Sequence, residues 1–377
     1  MIPPTARLLP DGRRLHLQHG PIDLVVEAIG RRPSPPPQGE GDRAKRGGGG
    51  CPRNPVDGPP PPGFAWSPSP SGGGDADLAV REAYRAATAR FATILDELCT
   101  ELPLLKRPVD GTACRLQGRV ARRMHHAVLP FAVDGFITPM AAVAGAVAEE
   151  VLLAMTGAAD LARASVNNGG DIALYLAEGE EVRIGLVNRP DRPRLAGTAT
   201  IRFGDPVRGI ATSGWRGRSF SLGIADAVTI LARTAAEADA AATIVANAVD
   251  LPGHPAVTRV PAREVQADSD LGGLLVTCDV GRLSPADIRS ALAAGLAKAE
   301  ALIARGLIEA AALNVQGQML STVATNFHRQ RHAEEVGEAG RLEARTTGGA
   351  CFETRTSGPL LSMAPDGDGK GSRSMAA

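Results

Sequence analysis

The sequence has few aromatic residues and no excess of charge of either sign, and these deficits exclude classes of function. Aromatic residues make up 3% of the 377 residues, and Lys plus Arg equals Asp plus Glu at 41 each. A chain without a net positive field and with few rings for base stacking is poorly suited to nucleic acid. Balanced charge also gives no attraction to an anionic membrane surface. We therefore expect neither nucleic acid nor a membrane among the partners.

Cysteine is scarce as well. The five cysteines are odd in number and widely spaced, without a CxxC or His-paired ligand pattern, so neither a disulfide framework nor a zinc site is expected. His125 and His126 are adjacent, and neighbours on a regular element point in different directions, which predicts a surface role for both. The N-terminus lacks the apolar core of a signal peptide, and we find no long uncharged apolar run. We expect a cytoplasmic protein.

Two segments lack the pattern of a packed core. Residues 31–74 contain 12 Pro and 11 Gly and no apolar periodicity, which predicts a disordered insertion. Residues 318–377 are polar and rich in Gly, which predicts a disordered tail. The rest alternates between strands and helices, so residues 1–30 supply the N-terminal strands of the same domain as residues 75–317.

The elements on either side of the insertion are marked by periodicity. Apolar residues at every second position from Leu15 to Val26 predict an N-terminal β-meander. Apolar residues at spacings of three and four from Val80 to Leu98 predict a helix that Pro103 stops. Thr138 and Pro139 predict the start of a second helix, with the Thr138 hydroxyl as its cap and Gly157 at its end.

This second helix is built of small residues. Its run from Ala141 to Ala148 is almost entirely Ala and Gly. Such a surface lets a neighbouring backbone approach closely, and two interpretations have equal weight. Either the helix packs tightly against the rest of the fold, or a flat ligand lies against it.

A turn between two predicted strands is the first candidate site. It consists of Asn167, Asn168, Gly169, Gly170 and Asp171. Gly adopts positive φ and lets a ligand approach the main chain, while Asn supplies amide groups. The alternative, a tight hairpin turn with no ligand, has even odds on this stretch alone.

A loop that combines hydroxyl, Gly and Arg residues is the second candidate. Its residues suited to phosphate are Thr212, Ser213, Gly214, Arg216 and Arg218. The glycines leave the backbone bare, and an Arg guanidinium offers a bidentate fork to phosphate oxygens. The alternative is a solvated loop without a ligand.

A polar stripe on an apolar helix is the third candidate. Thr234 and Glu237 predict the start of this helix, and Asp239, Thr243 and Asn247 fall on one of its faces. Oxygen ligands from Asp239 and Thr243 suit a hard cation such as Mg²⁺. Alternatively, Asp239 complements the helix dipole and the Thr243 hydroxyl bonds back to its own helix.

The three candidates in this order resemble the ApbE-like superfamily, whose characterised branch is FAD:protein FMN transferase. The similarity is greatest to an uncharacterised sister family. The segments that carry it are TPMAAVAGAVAEE, VNNGGDIAL, ATSGWRGRSFSLGIADAVT and ADAAATIVANAV. It covers most of residues 12–317 outside the insertion. The resemblance implies an α+β fold, with a single ApbE-like (T-fold-related) domain of mixed sheets and flanking helices.

The resemblance also implies roles for individual residues. Asp239 and Thr243 match the metal ligands of the characterised branch, and the carbonyl of Ala141 falls near its third ligand. Asn168 to Asp171 match a turn that lies beside the flavin nucleotide in the characterised branch. Thr212 to Gly214 match the TSG segment of that branch. Two positions depart from the pattern. Ala144 stands at the position where the characterised branch has a Lys before its glycine. Residues 219–226 stand where the characterised branch has a segment that contains His.

The function predicted from the sequence is binding of a flavin nucleotide, FAD or FMN, with Mg²⁺. The chemistry implied is flavin transfer to a target flavoprotein or hydrolysis of the FAD diphosphate, with Asp239 and Thr243 as the catalytic residues through the metal. The alternatives are a non-catalytic carrier of flavin or a related heterocycle for a partner enzyme, and a redox enzyme that holds flavin as a cofactor. The departures at Ala144 and 219–226 concern transfer chemistry more than flavin binding.

Overall fold

The structure is a computed structural model that describes residues 3–31, 75–111, 114–188, 195–322 and 327–329. The predicted insertion therefore lies outside the described residues except for Arg31, as does most of the predicted tail.

The described residues form strands and helices throughout. The strands are β1 (Thr5–Leu8), β2 (Leu15–His19), β3 (Ile22–Gly30), β4 (Leu161–Asn168), β5 (Asp171–Leu176), β6 (Glu181–Val187), β7 (Leu195–Arg202), β8 (Gly209–Ser213), β9 (Ala227–Ala232), β10 (Val257–Pro261), β11 (Leu275–Val280), β12 (Ala310–Val315), β13 (Gln318–Ser321) and β14 (Phe327–Arg329). The helices are α1 (Asp75–Leu105), α2 (Arg119–Val128), α3 (Val143–Ala158), α4 (Ala235–Ala248), α5 (Ala262–Val265) and α6 (Pro285–Ala304). Short 3₁₀ helices span Leu129–Asp134 and Pro139–Ala142.

A large sheet carries the helices. Its strand order is β1-β2-β3-β4-β5-β8-β9-β12-β13, and smaller sheets are formed by β14-β7-β6 and by β10-β11. The predicted α+β class with flanking helices is confirmed. Every ladder among the described strands is antiparallel, where mixed sheets were predicted. Hairpins such as β2-β3 and β4-β5 impose this direction, because a tight turn joins only antiparallel strands.

The predicted meander and first helix are present. In α1, Tyr84, Phe91 and Ile94 are buried at helical spacing, and burial of such side chains is the main force that holds the helix on the sheet. The helix does not stop at Pro103, which lies in its last turn, and it continues to Leu105. The backbone of Gly30, at the end of β3, touches Ala76 at the start of α1. The two ends of the predicted insertion are therefore adjacent.

The second helix begins differently from the prediction. A 3₁₀ turn, Pro139–Ala142, precedes α3, and Thr138 makes no side-chain cap. Its hydroxyl donates instead to the Asp270 carboxylate, so a contact distant in sequence displaces the local cap. The combined segment Pro139–Ala158 is long and apolar enough for a bilayer span by length and composition, but half of it is buried within the protein. A core helix has the same properties, so this segment is weak evidence for a membrane.

The ordered chain extends beyond the predicted boundary at residue 317. Residues 318–321 form β13, which pairs with β12 at the edge of the large sheet. Thr322 is buried, and its hydroxyl accepts a hydrogen bond from the Ala311 N–H. The sequence pattern did not reveal this strand, because four residues are too few for a clear apolar alternation.

Close packing accounts for the small residues of α3. Ala146 and Ala148 of α3 are fully buried, as is Ala142 of the preceding 3₁₀ turn. A Cβ placed on Gly145 would lie 2.2 Å from the carbonyl oxygen of Ala235, at the first residue of α4. The packing interpretation therefore holds on this face, and Gly145 sets the separation between α3 and α4.

We predict that Gly145→Ala lowers the free energy of unfolding by about 1–3 kcal/mol, because the added methyl group forces the backbone of α4 to move. Gly157→Ala is the matched control in the same helix, where no atom lies within 4 Å of the added Cβ. It should raise the free energy of unfolding by about 0.5–1 kcal/mol, because Ala favours a helix over Gly. Urea unfolding measures both, and equal effects would contradict the packing described.

Candidate functional site

The Asn-Gly turn is a two-residue hairpin loop between β4 and β5. Asn168 pairs with Asp171, and Gly169 and Gly170 have φ values of 66° and 117°. The Gly170 N–H donates to the Asn167 side-chain oxygen at 2.9 Å. The hairpin geometry is thus confirmed, and the N–H of Gly170 is satisfied within the turn rather than left bare.

The turn is tied to the start of α3, and α3 is tied to α4. Asn168 is buried, and its side-chain amide donates to the carbonyl oxygen of Ala144 at 3.1 Å. The N–H of Gly145 donates to the Asp239 carboxylate at 3.0 Å. The first-turn N–H groups of a helix have no partner within that helix, and the positive end of its dipole favours an anion. Asp239 of α4 therefore caps α3 from a neighbouring helix.

Asp171 and Asp239 form a pair of partly buried carboxyl groups. Asp171 lies at the start of β5 and accepts the Thr212 N–H at 3.3 Å. Burial raises the pKa of Asp171 to about 7, although the Thr212 N–H and Arg218 oppose this rise. Burial and then the neighbouring Asp171 raise the pKa of Asp239, while the N–H groups of Gly145 and Ala144 oppose the rise. Among the described residues, neither carboxylate has a Lys or Arg nitrogen within 4 Å.

The TSG segment lies on β8, beside β5. The Thr212 hydroxyl shares a hydrogen bond of 2.9 Å with the hydroxyl of Thr229 on β9, and among the described residues the Ser213 hydroxyl has no partner. Gly214 has a φ of 155°, and a Cβ there would lie 2.7 Å from the carbonyl oxygens of Ala225 and Asp226. This glycine is required by close packing of the backbone, whatever the ligand.

The two arginines of the loop make different contacts. Arg216 donates to the buried Asp226 carboxylate at 2.7 Å, and its guanidinium lies 4.1 Å from the centre of the Trp215 ring. Arg216 is therefore held within the protein. Arg218 is exposed, and its guanidinium lies against the backbone of Gly169. Only Arg218 is placed to meet a ligand at the turn.

The polar residues on one face of α4 have different roles. The side-chain oxygen of Asn247 accepts the Leu222 N–H at 2.9 Å and the Ser221 hydroxyl at 3.2 Å, so Asn247 holds a loop. Thr243 is half-buried, and its hydroxyl has no hydrogen-bond partner among the described residues. The predicted bond of this hydroxyl back to its own helix is therefore absent. Thr243 lies one turn after Asp239, with its hydroxyl available to a ligand.

The remaining predicted ligand lies nearby in the fold. Ala141 belongs to the 3₁₀ turn that packs against α4, and its N–H bonds to the Thr138 carbonyl oxygen at 3.1 Å. The structure thus connects the turn, the TSG segment and Asp239 through direct contacts. Two contributions were not predicted from the sequence: the Thr229 hydroxyl, which bonds to Thr212, and the first turn of α3, which contacts Asn168 and Asp239. They depend on the order of the strands and on the crossing of the helices.

One cluster contradicts the sequence prediction for the paired histidines. His125 is half-buried rather than on the surface, and ring nitrogens of His125 and His126 lie close to the Cys114 sulfur. The spacing of these residues gave no signal, because Cys114 precedes α2 and reaches the histidines only through the path of the chain.

The chain is similar in sequence to known proteins. The sequence model of a family described as AbpE bacteria matches residues 71–321. UPF0280 protein MK0206 of Methanopyrus kandleri is 40% identical over 129 residues, covering 34% of this chain and 48% of that protein. A UPF0280 protein of Methanothrix thermoacetophila is 40% identical over 139 residues, covering 34% and 52%. The chain spans about half the length of these curated relatives.

A solved structure also aligns with the chain. It is the apo form of the Pseudomonas stutzeri flavinyl transferase ApbE, with 16% identity and a TM-score of 0.27. The alignment covers 48% of this chain and 49% of that one.

We predict that the metal-free protein becomes less stable as the pH rises from about 4 to 7. Across this window the folded state keeps a proton on Asp171 that the unfolded state has released, because burial raises the pKa of Asp171 from 3.8 to about 7. Asp171→Asn should flatten the profile and raise the free energy of unfolding at pH 8 by about 1–4 kcal/mol. Chemical unfolding across this range measures it.

The control for this profile is Asp96→Asn, at an exposed position of α1. It should leave the pH profile unchanged. A wild-type stability that increases over the same window would contradict the raised pKa of Asp171.

Proposed function

The chain belongs to the family described as AbpE bacteria, an ApbE-like family, and from that premise we propose that the residues around Asp171 and Asp239 bind a flavin nucleotide together with Mg²⁺. The observation that carries the proposal is this pair of partly buried carboxyl groups with raised pKa values, which among the described residues have no basic side chain within ion-pair distance. Two interacting carboxylates that are partly withdrawn from water are unfavourable unless a cation compensates them. A divalent cation fits this need.

The donor set suits a hard cation. Asp239 provides a carboxylate, Thr243 a hydroxyl without a hydrogen-bond partner in the described part of the chain, and Ala141 a backbone carbonyl from the adjoining 3₁₀ turn. Mg²⁺ prefers oxygen ligands and binds through one or two carboxylates together with substrate phosphates. Asp171 adds a second carboxyl group to the same region, so its charge contributes to the affinity for the cation.

The nucleotide is proposed to lie along the turn and the TSG segment. Asn167, Asn168, Gly169 and Gly170 would line the flavin side, and Arg218 lies against this turn with an exposed guanidinium. Thr212, Ser213 and Gly214 continue the wall on β8, where the Ser213 hydroxyl is unpaired among the described residues. Arg216 supports this wall through Asp226 rather than through a phosphate contact.

We propose chemistry at the diphosphate of FAD as the activity. Mg²⁺ bound at Asp239 and Thr243 would polarise the phosphoryl oxygens and neutralise charge on the leaving phosphate. The chain itself would hold the metal through Asp239, keep Asp239 in place through the Gly145 N–H, and orient the phosphates through Arg218. A transferase of this type needs a flavoprotein partner, and we propose that both proteins are cytoplasmic.

A carrier without catalysis is the second candidate. The observation that favours it lies in the first turn of α3, where Ala144 stands at the position of a Lys in the characterised branch. Ala144 contacts Asn168 and Asp239 only through its backbone groups. Such a site would hold flavin or a related heterocycle for a partner enzyme, with the metal serving binding alone.

We predict that Mg²⁺ tightens FAD binding by at least about tenfold, equivalent to about 1.4 kcal/mol. Asp239→Asn and Thr243→Val should each abolish this gain, because each removes a metal ligand. Thr156→Val is the matched control, since the Thr156 hydroxyl bonds only to its own helix on α3. Quenching of flavin fluorescence measures the affinity. A protein that binds no flavin under any metal condition would refute the proposed function.

Product analysis separates catalysis from carriage. For the enzyme, we predict that incubation with FAD and Mg²⁺ releases AMP, together with free FMN or FMN attached to a target protein, and that Asp239→Asn stops the release. Liquid chromatography with mass spectrometry detects these species. Tight binding of intact FAD without AMP would instead identify a carrier.

A further inference from the structure

A Cys-His-His cluster beside α2 lies outside the residues assigned to flavin and Mg²⁺. One ligand atom from each of Cys114, His125 and His126 lies within 4.8 Å of the other two. The histidines belong to the last turn of α2, whereas Cys114 lies in the segment before the helix. That segment must run back beside α2 for the sulfur to reach the rings. The cluster is therefore produced by the tertiary path of the chain.

His125 carries an unsatisfied buried atom. Its Nδ1 is buried and has no hydrogen-bond partner among the described residues. Nearly all buried polar atoms in proteins have partners, so an orphaned ring nitrogen requires an explanation such as an ion. Burial, and then the neighbouring His126, lower the pKa of His125, although Asp110 opposes the shift. The ring is thus kept in the neutral form that binds metals.

We propose that Cys114, His125 and His126 bind a borderline-soft divalent cation, with Zn²⁺ as the natural occupant. A thiolate and two imidazoles are ligands that Zn²⁺ prefers, whereas Mg²⁺ takes oxygen. Bonds of about 2.3 Å to sulfur and about 2.0–2.1 Å to nitrogen separate tetrahedral ligands by about 3.4–3.6 Å. The ligand atoms lie within 4.8 Å of one another, so they need to approach by at most about 1.4 Å to reach these separations.

The remaining coordination position is open to water. Three protein ligands and a water are typical of zinc sites that interact with further molecules, while structural sites use four protein ligands. On binding, the Cys114 thiol would release its proton to solvent and the cation would take the place of that proton. His126 is exposed, which gives the cation a path of entry.

Co²⁺ substitution tests the site directly. Full-length protein is treated with a chelator and a phosphine reductant and then titrated with Co²⁺ without oxygen. We expect a near-ultraviolet thiolate-to-Co²⁺ charge-transfer band with the visible bands of tetrahedral Co²⁺, and Zn²⁺ should displace both. Cys114→Ser should remove the charge-transfer band, and His126→Gln should weaken Co²⁺ binding by more than about tenfold.

Matched variants separate this site from the other cysteines and from the Mg²⁺ site. Replacement of Cys51, Cys99, Cys278 and Cys351 together by Ser should leave the band intact, because only Cys114 supplies the thiolate. Asp239→Asn should also leave it intact, so failure of the proposed flavin function would not affect this result. Circular dichroism verifies that each variant is folded. A wild-type protein without the band, or a band that survives in Cys114→Ser, would overturn the proposal.

Discussion

The contact between the Asp239 carboxylate and the first turn of α3 is the interaction on which the site depends. It joins two helices whose separation is set by Gly145, where no side chain fits against the Ala235 carbonyl. The same turn of α3 receives the Asn168 amide through the Ala144 carbonyl. Movement of α3 would therefore displace both Asp239 and the Asn-Gly turn, so packing and ligand geometry are coupled.

This arrangement has a thermodynamic consequence. Burial raises the pKa values of Asp171 and Asp239, and the Asp171 carboxylate further disfavours ionisation of Asp239. A protein selected only for stability would place apolar or neutral side chains here, since replacement of buried charges by such groups is often neutral or stabilising. Strain of this kind is concentrated at sites that meet a ligand. The proposed Mg²⁺ would convert the unfavourable pair into a favourable one.

The molecule contains two clusters suited to different cations. The ligands proposed for Mg²⁺ at Asp239 are oxygen atoms, whereas sulfur and nitrogen atoms meet at Cys114, His125 and His126. Because hard cations prefer the first set and borderline-soft cations the second, each cluster selects its own ion by ligand type. The α2 helix that carries the histidines also packs on the 3₁₀ turn containing Ala141. Occupancy of the Cys-His-His cluster would thus stabilise an element next to the proposed flavin site.

Local patterns in the sequence determined the elements that need only local information. Apolar periodicity identified β2, β3 and α1, and glycine pairs identified the hairpin at Asn168. The motifs also indicated the family and placed Asp239 and Thr243 on one helical face. The same local logic failed where distant contacts compete. Thr138 binds Asp270 instead of capping its helix, and Asn247 holds a loop.

Tertiary structure alone decided which candidates meet. Strand order places β8 beside β5, so the Thr212 N–H reaches Asp171, and the crossing of α3 and α4 brings Gly145 to Asp239. The segment before α2 runs back beside this helix and so places Cys114 near His125 and His126. The sequence determined the chemistry of each group through residue type, whereas proximity arose from burial and pairing across the whole chain, which no local pattern encodes.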